Sequence, residues 1–566
     1  MNKIKIFLML LFFGAIFGAC EKILEPDKDN QYMLDRVLND PAFAEGILLR
    51  AYQLLPSEYT QEDVATDNAV SNNKSNGYLR MATGEWSAIY NPVSVWTDSY
   101  NALFNINYFL SVVDKVNWSW QSETRKEMFA KRFKGEALAL RAYFHMRLLI
   151  HHGGINNEGN LLGIPLATEV IGVKENNWKL KRSTYQECID QINNDFDQAF
   201  MLLPYVWQKY PDDLNKQTVL GEQNINRIQG KIIKALQARL ALYTSSPAFN
   251  QGSYNQEKCR EAAEIAGQLL VEIGGTGGMD PKGNIFYDKD DDPTNAEILW
   301  KNNYGVSNNR EIDNFPPSLY GKGNINPTQN LVDIFPMVNG YPITHSLSEF
   351  DATNPYKKRD PRLKAYIVYN GNTLGAYSIK TSIDDQVNGL NKTTASTRTG
   401  YYLLKLLRTD VNLNPTVFST KRHFYTHIRY TELFLIYAEA ANEVWGPDGD
   451  PKNYGFTARS ILASIRKRAG ITASDPYLAS LSNKGEIGEL IRNERRIELC
   501  FEGFRFWDIR RWKNNLNETA KGVEISGNTY NYIDVEKRKF ENYMYYGPLP
   551  NNEINKYEGL TQNQGW

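Results

Sequence analysis

Three carboxylates at helical spacing, Glu494, Glu498 and Glu502, are the residues in this chain whose arrangement most resembles chemistry, because two acids at a fixed separation can hydrolyse a glycosidic bond. Arg492, Arg495, Arg496 and Arg505 surround that stripe. A guanidinium beside a carboxylate lowers its pKa, the wrong direction for a general acid. The pattern therefore predicts a structural ion-pair network. Asp288, Asp290, Asp291 and Asp292 invite calcium, but Pro293 stands at the sixth loop position where Gly is required and Leu299 at the twelfth where Glu is needed. A solvated acidic turn is expected there. Gly274-Gly-Thr-Gly-Gly278 follows a helical pattern instead of a strand and lacks Gly-Lys-Ser/Thr, so it reads as a turn and not as a phosphate cradle. His145, His151 and His152 miss the i,i+4 spacing that turns two imidazoles toward one zinc, which leaves packing as their role. No Gly-x-Ser-x-Gly elbow occurs. No catalytic group, metal or cofactor is expected.

The elements that carry these residues are mainly helical. Apolar side chains recur at i, i+3, i+4 and i+7 over residues 41–55, 98–113, 134–152, 183–203, 227–243, 257–272, 429–444, 456–468 and 484–497. Several come in pairs with alanines where two helices must approach, as in degenerate tetratricopeptide-like pairs. Residues 274–426 differ: Gly, Pro, Asn and Asp cluster and helix signals are short, which predicts an irregular, loop-rich insertion with short strands such as 365–369. The expected organisation is one body, 20–566, whose helical scaffold covers about 20–273 and 427–566. With 64 basic and 65 acidic residues, the chain has no basic surplus for nucleic acid. Its 34 Tyr, 25 Phe and 11 Trp are the skewed quantity, and so many rings call for a surface that binds.

Residues 1–19 read as a secretory signal, with Lys3 and Lys5 ahead of an apolar run at 6–17 and then Gly18 and Ala19. That run rises about 18 Å as a helix, short of a roughly 30 Å hydrocarbon core. The small residues before Cys20 resemble a bacterial lipobox, which implies acylation of Cys20 and a lipid anchor. Cys188, Cys259 and Cys500 are too widely spaced for a zinc or redox motif and are expected as buried free thiols.

The run Arg492-Asn-Glu-Arg-Arg-Ile-Glu-Leu-Cys-Phe-Glu-Gly-Phe-Arg-Phe-Trp-Asp-Ile-Arg-Arg-Trp512 resembles the C-terminal signature of the SusD/RagB family of outer-membrane nutrient-binding lipoproteins. Gly135-Glu-Ala-Leu-Ala-Leu-Arg-Ala-Tyr143 with Gly153-Gly154, and Trp96, Tyr100, Asn101 and Asn107, look like its early helices. Pro327-Thr-Gln-Asn-Leu-Val-Asp-Ile-Phe-Pro-Met337 looks like its middle motif, and the ending from Tyr546 to Trp566 resembles its terminal segment, with Leu549 and Trp566 replacing commoner Ile and Tyr. The resemblance implies a mainly α, tetratricopeptide-like superhelical body under an irregular ligand-facing layer. It also implies a cell-surface, outer-membrane lipoprotein that binds oligosaccharide without cleaving it and delivers it to a SusC-like TonB-dependent barrel transporter. Oligopeptide capture is the alternative within the family; a surface glycoside hydrolase or a protein-binding helical scaffold are alternatives outside it.

Sugar C–H faces pack on Tyr and Trp, while Asp, Asn and Arg take the hydroxyls. The resemblance places ligand contacts before the first marker helix and before the Pro-Thr-Gln motif. The expected ligand-binding residues are Asp67, Asn68, Arg80, Trp86, Tyr90, Tyr304, Arg310, Phe315 and Tyr320. Trp96 and Tyr100, on a helix, are expected to pack.

Overall fold

The structure, a computed structural model, describes residues 29–172, 177–287, 295–472 and 474–566. The signal segment, Cys20 and the acidic run 288–292 lie outside the described residues, as do the side chains of residues 29–33, 303 and 304.

The scaffold is a succession of packed helices: α1 (Asp29–Asn39), α2 (Pro41–Gln53), α3 (Trp96–Val112), α4 (Glu123–His152), α5 (Tyr185–Leu202), α6 (Gly230–Ser245), α7 (Gln256–Glu272), α8 (Tyr430–Trp445), α9 (Ala458–Ala469), α10 (Lys484–Glu498) and α11 (Arg505–Arg511). Their starts are written locally. Asp40 accepts the Phe43 N–H at 3.1 Å ahead of Pro41, and Thr184 with Glu187 closes a capping box on α5, as Asn483 with Glu486 does on α10. Helix α4 begins eleven residues before the expected 134, capped by Ser122. Its first turns are charged and half-exposed. From Phe133 onward it is buried almost all round between α3 and α5, so no apolar stripe marks its true length. At Gly135 a Cβ would meet Leu203 Cγ at 2.8 Å, which is why glycine stands where α4 meets the end of α5. Helix α8 is the hub, packing on α6, α7, α9 and α10.

The irregular layer is anchored to this body by two antiparallel pairs. Strand β2 (Ile298–Ser307) runs against β4 (Lys421–Arg429), with bulges after Arg422 and Thr426, and β1 (Ala69–Ser71) pairs β3 (Ile325–Pro327). Trp300 on β2 is buried, donates from Nε1 to the Asn226 carbonyl at 3.1 Å and lies 4.2 Å from the His427 ring. Thr328 ties the layer to the early loop, its N–H bonding the Asn68 carbonyl at 2.9 Å and its hydroxyl the Asp67 carbonyl at 2.5 Å. A second apolar core, including Phe315, Leu331, Tyr402 and Phe501, lies under this layer, and a third gathers Trp86, Phe506, Trp507 and Phe540.

Two further details differ from the sequence-based expectation. The strand expected at 365–369 is a helical turn, Pro361–Tyr366, followed by only Ile367–Val368 in extended form, because Asp360 caps the Arg362 N–H and Pro361 presets the first helical position. A hairpin, β5 (Ala520–Ser526) and β6 (Thr529–Glu536), turns at Gly527 with φ near 57° within a stretch read as scaffold, and its Val523 and Ile525 close the second core. Cys188, Cys259 and Cys500 are free and buried, and burial pushes each thiol up to about 12. Among the described residues no helix is long and apolar enough to cross a membrane.

Candidate functional site

The carboxylates of the C-terminal signature are engaged in the interior. Glu494 and Glu498 are on α10, whereas Glu502 lies beyond its end, so the three do not form one helical stripe. They converge through arginines from elsewhere. Arg362, fully buried, binds Asp360 at 2.6 Å, Glu498 at 2.8 Å and also Glu494. Arg466 reaches Asp475 at 2.6 Å and Glu494 at 3.5 Å, Arg468 binds Glu498 at 3.0 Å, and Arg429 and Lys405 hold Glu502 at 2.8 and 2.7 Å. Arg511 joins Asp508 to Glu439, and Arg495 binds Asp508 at 2.7 Å. Burial would raise Glu498, but Arg468, Arg362, Arg429 and Lys405 outweigh it and hold the carboxyl at about 2. Glu494 departs from expectation: burial raises it despite Arg362 and Arg466. It is sealed from solvent, so a raised value there offers no acid to a substrate.

Asp67 and Asn68 belong to this network. Arg505 grips Asp67 through two bonds of 2.8 and 2.7 Å, and Arg496 bonds Asn68 Oδ1 at 2.7 Å; burial would raise Asp67, yet the two arginines hold it well below the carboxylate range. Their side chains fasten the early loop to the signature segment. Trp86, expected as a stacking ring, is 3% exposed and lies against Phe506, Phe540 and Trp566, with Arg510 over its face at 5.0 Å. Phe315 is buried in the second core. These four occupy interior positions because neighbouring loops fold over them.

An opening does lie between the early loop and the irregular layer. Its lining comes from Tyr59 and Gln61, from Tyr287, from the short helix Asn309–Asn314, and from Leu406, Arg408, Arg422 and Phe424, around a volume of about 100 Å³. Arg310, one of the expected residues, lines it. Its guanidinium sits 5.1 Å from the centre of the Tyr59 ring, and its buried Nε has no hydrogen-bond partner. Burial pushes it below the usual arginine value, opposed by Tyr59, Glu311 and Glu58. One turn on, Asn314 donates to the Arg310 carbonyl at 2.9 Å while its buried Oδ1 is left unengaged. Tyr59 is fixed by accepting the Thr426 N–H at 3.2 Å and by the Tyr425 ring 4.8 Å away.

The remaining expected residues lie away from this lining. Arg80 pairs with Glu85 at 2.5 Å and covers the Tyr90 ring at 4.5 Å, a surface cluster in the early loop. Tyr320 is 57% exposed with φ near 64° and stands outside the opening. The Tyr304 side chain is outside what the structure describes. Tyr59, Asn314 and Phe424 were missed. Tyr59 and Gln61 sit a few residues upstream of the interval read as ligand-facing, and the Asn-Asn-Arg run at 308–310 was a usable polar signal. Nothing local marks Phe424, which arrives through the β2–β4 pairing.

The histidines His145 and His152 of α4 are structural. His145 accepts the Ala167 N–H at 3.2 Å, His152 bonds the Pro548 carbonyl at 2.7 Å, and burial lowers them to about 3 and about 4. Trp96 packs on Tyr100 and His152. Among the described residues no cluster of three His, Cys, Asp or Glu could hold a metal ion.

Residues 284–566 match the SusD family, and residues 24–221 match a family described as starch-binding associating with outer membrane. The chain is 22% identical over 539 residues to SusD-like protein P38 of Formosa agariphila, covering 92% of each. A SusD-like protein from Bacteroides fragilis superposes with a TM-score of 0.74 at 25% identity, over 94% of this chain and 98% of that one. A laminarin-binding SusD-like protein shares the fold with a TM-score of 0.58 at 19% identity, over 93% and 99%.

Proposed function

The chain belongs to the SusD family, and from that premise we propose that it is a lipid-anchored outer-membrane protein that binds oligosaccharide, without cleaving it, and hands it to a SusC-like TonB-dependent barrel. One observation carries the ligand reading: the opening holds an unengaged donor, Arg310 Nε, and an unengaged acceptor, Asn314 Oδ1, beside the Tyr59 and Phe424 rings. A hydroxyl both donates and accepts, and the apolar face of a sugar packs on a flat ring, so a neutral saccharide satisfies all of these groups together. Two proteins of the same fold, a SusD-like carbohydrate-binding protein from Bacteroides fragilis and a laminarin-binding SusD-like protein, support the same ligand class.

Non-catalysis is supported by the signature carboxylates. Glu494, Glu498 and Glu502 are the acids whose spacing suggested hydrolysis, and all three are buried against cations. The anchor reading rests on Cys20 following Ala19 and on its expected acylation. The mature chain, 20–566, is proposed to act as one body, with the layer over 274–426 facing the ligand.

Calorimetry of the purified protein against a panel of neutral oligosaccharides, laminari-oligosaccharides among them, and of oligopeptides tests the ligand. The expected result is a saccharide isotherm weakened in Arg310→Met, with no products accumulating over time. Peptide binding alone, or sugar binding indifferent to Arg310, overturns it. Retention of Cys20→Ala in the membrane fraction would overturn the anchor.

A further inference from the structure

A second opening lies on the helical body and shares no residue with the first. One wall is the outward face of α3; the other is formed by the segment around Trp178 and the C-terminal segment around Tyr557. Its volume is about 400 Å³, within the span of small-molecule sites. Phe104 is 53% exposed on α3, and Trp178 meets Tyr557 edge to face at 5.5 Å. Thr97 and Asn101, one turn apart on the same face as Phe104, make no side-chain hydrogen bond to any described residue. The ring-bearing segments are held in place without a ligand, because the Tyr557 hydroxyl donates to the Leu180 carbonyl and the Tyr100 hydroxyl to the Pro165 carbonyl at 2.7 Å.

One pair of charges at the rim is matched, Glu169 keeps its charge, and Lys179 lies 5.2 Å from the centre of the Trp178 ring. Lys556 binds Glu553 at 2.7 Å, and Glu169 accepts from Asn177 at 3.1 Å. An anionic ligand would meet two carboxylates in the lining, Glu169 and Glu553, against the single cation Lys556. An amphipathic helix would need an unbroken apolar stripe, and Thr97 and Asn101 interrupt the one on α3. Flat rings separated by an unengaged hydroxyl and an unengaged amide fit instead a neutral, hydroxyl-rich ring compound.

We propose that this cleft is a second saccharide-binding site, taking a neutral sugar unit on Phe104 and Trp178 with Asn101 as its hydrogen-bonding group. Unlike the function proposed above, it rests on none of the residues of the first opening. The two ideas therefore fail separately.

The test is fluorine NMR of the full chain labelled with 5-fluorotryptophan, with Trp178→Phe identifying the Trp178 signal and cellobiose, maltose and xylobiose added at millimolar concentration. The expected result is a saturable shift of that signal with at least one disaccharide, weakened about tenfold by Phe104→Ala and likewise by Asn101→Ala, and untouched by Arg310→Met. A Trp178 signal that moves with none of the three sugars overturns the proposal, whatever the first opening binds. So does a shift that survives both α3 variants. A shift at Trp178 together with saccharide binding that never responds to Arg310→Met upholds the cleft and removes the first opening alone.

Discussion

The buried network beneath the C-terminal signature and the opening in the irregular layer use the same residue types, Arg, Glu, Asp and Tyr, but differ in what faces their arginines: several carboxylates in the one, a tyrosine ring at Arg310 in the other. In the network, Arg362 alone meets three carboxylates, and Asp67 meets two arginines. In the opening, Arg310 Nε and Asn314 Oδ1 are desolvated and left without a partner. Atoms without a hydrogen-bond partner occur in the network as well, Glu494 Oε2 and both Arg495 Nη atoms among them, but there ion pairs between elements accompany them and lock those elements together. At the opening an unpaired donor and acceptor cost stability that a ligand could offset. The lesson is that charge-rich sequence marks a scaffold or a site only through what the fold places opposite each group.

The strongest break of this contrast is Arg362→Ala. It strands Asp360, Glu494 and Glu498 in the interior, and stability should fall by about 3 to 5 kcal/mol, read by denaturant melts, while protein that remains folded still binds. A mild loss would show that water replaces the guanidinium and that the network is less sealed than its burial indicates.

Trp86→Ala should act on the same side of the divide. A ring 3% exposed among Phe506, Phe540 and Trp566 leaves a cavity when removed, costing about 3 to 5 kcal/mol with saccharide affinity unchanged in the folded fraction. Lost affinity with an intact melt would return Trp86 to the ligand surface.

On the other side, Arg310→Met keeps the apolar stem and deletes an unpaired donor. Saccharide binding should weaken by about 1 to 3 kcal/mol while the melting temperature stays level or rises, a sign opposite to that of Arg362→Ala. Paired calorimetry and thermal melts read both quantities, and a joint fall in the two would place Arg310 in the scaffold.

The smallest effects are in pH dependence, and the two carboxylate environments give them opposite signs. Glu498 and Glu439 are held at about 2 against an ordinary 4.5, so their contribution is complete above pH 4.5 and is lost as pH falls toward 2. Glu62, buried within the early loop, is raised to about 8, by burial first and Asp63 second. Its contribution is complete below pH 4.5 and disappears as pH rises through 8. Glu62→Gln should therefore melt higher than the parent at pH 9 and lose that advantage near pH 4, as scanning calorimetry across the range would show.

Much of this was legible in the chain before any coordinates. Apolar period, caps and prolines located α2, α3 and α5 to α10 to within a few residues, because these signals act over one or two turns of backbone. Helix α4 was read short because a helix buried all round carries no stripe, and the early part of it carries little apolar surface. The network was foreseeable from arginines interleaved with glutamates, although its partners Arg362, Lys405 and Arg429 were not, since nothing in the signature names residues some seventy to a hundred and thirty positions away.

The sequence by itself determined the class of fold, the family signature and the kind of side chain available for a ligand, for each of these is a matter of local spacing and residue type. Which side chains face the ligand was decided only by the tertiary structure. Trp86 and Asp67 sit in polar loops and read as exposed, yet α11 and its flanks close over them; Tyr59, Asn314 and Phe424 come from three separate segments and meet only once β2 has paired with β4. Exposure and partnership are properties of what packs across a residue, set by contacts distant along the chain, and no window of sequence contains them.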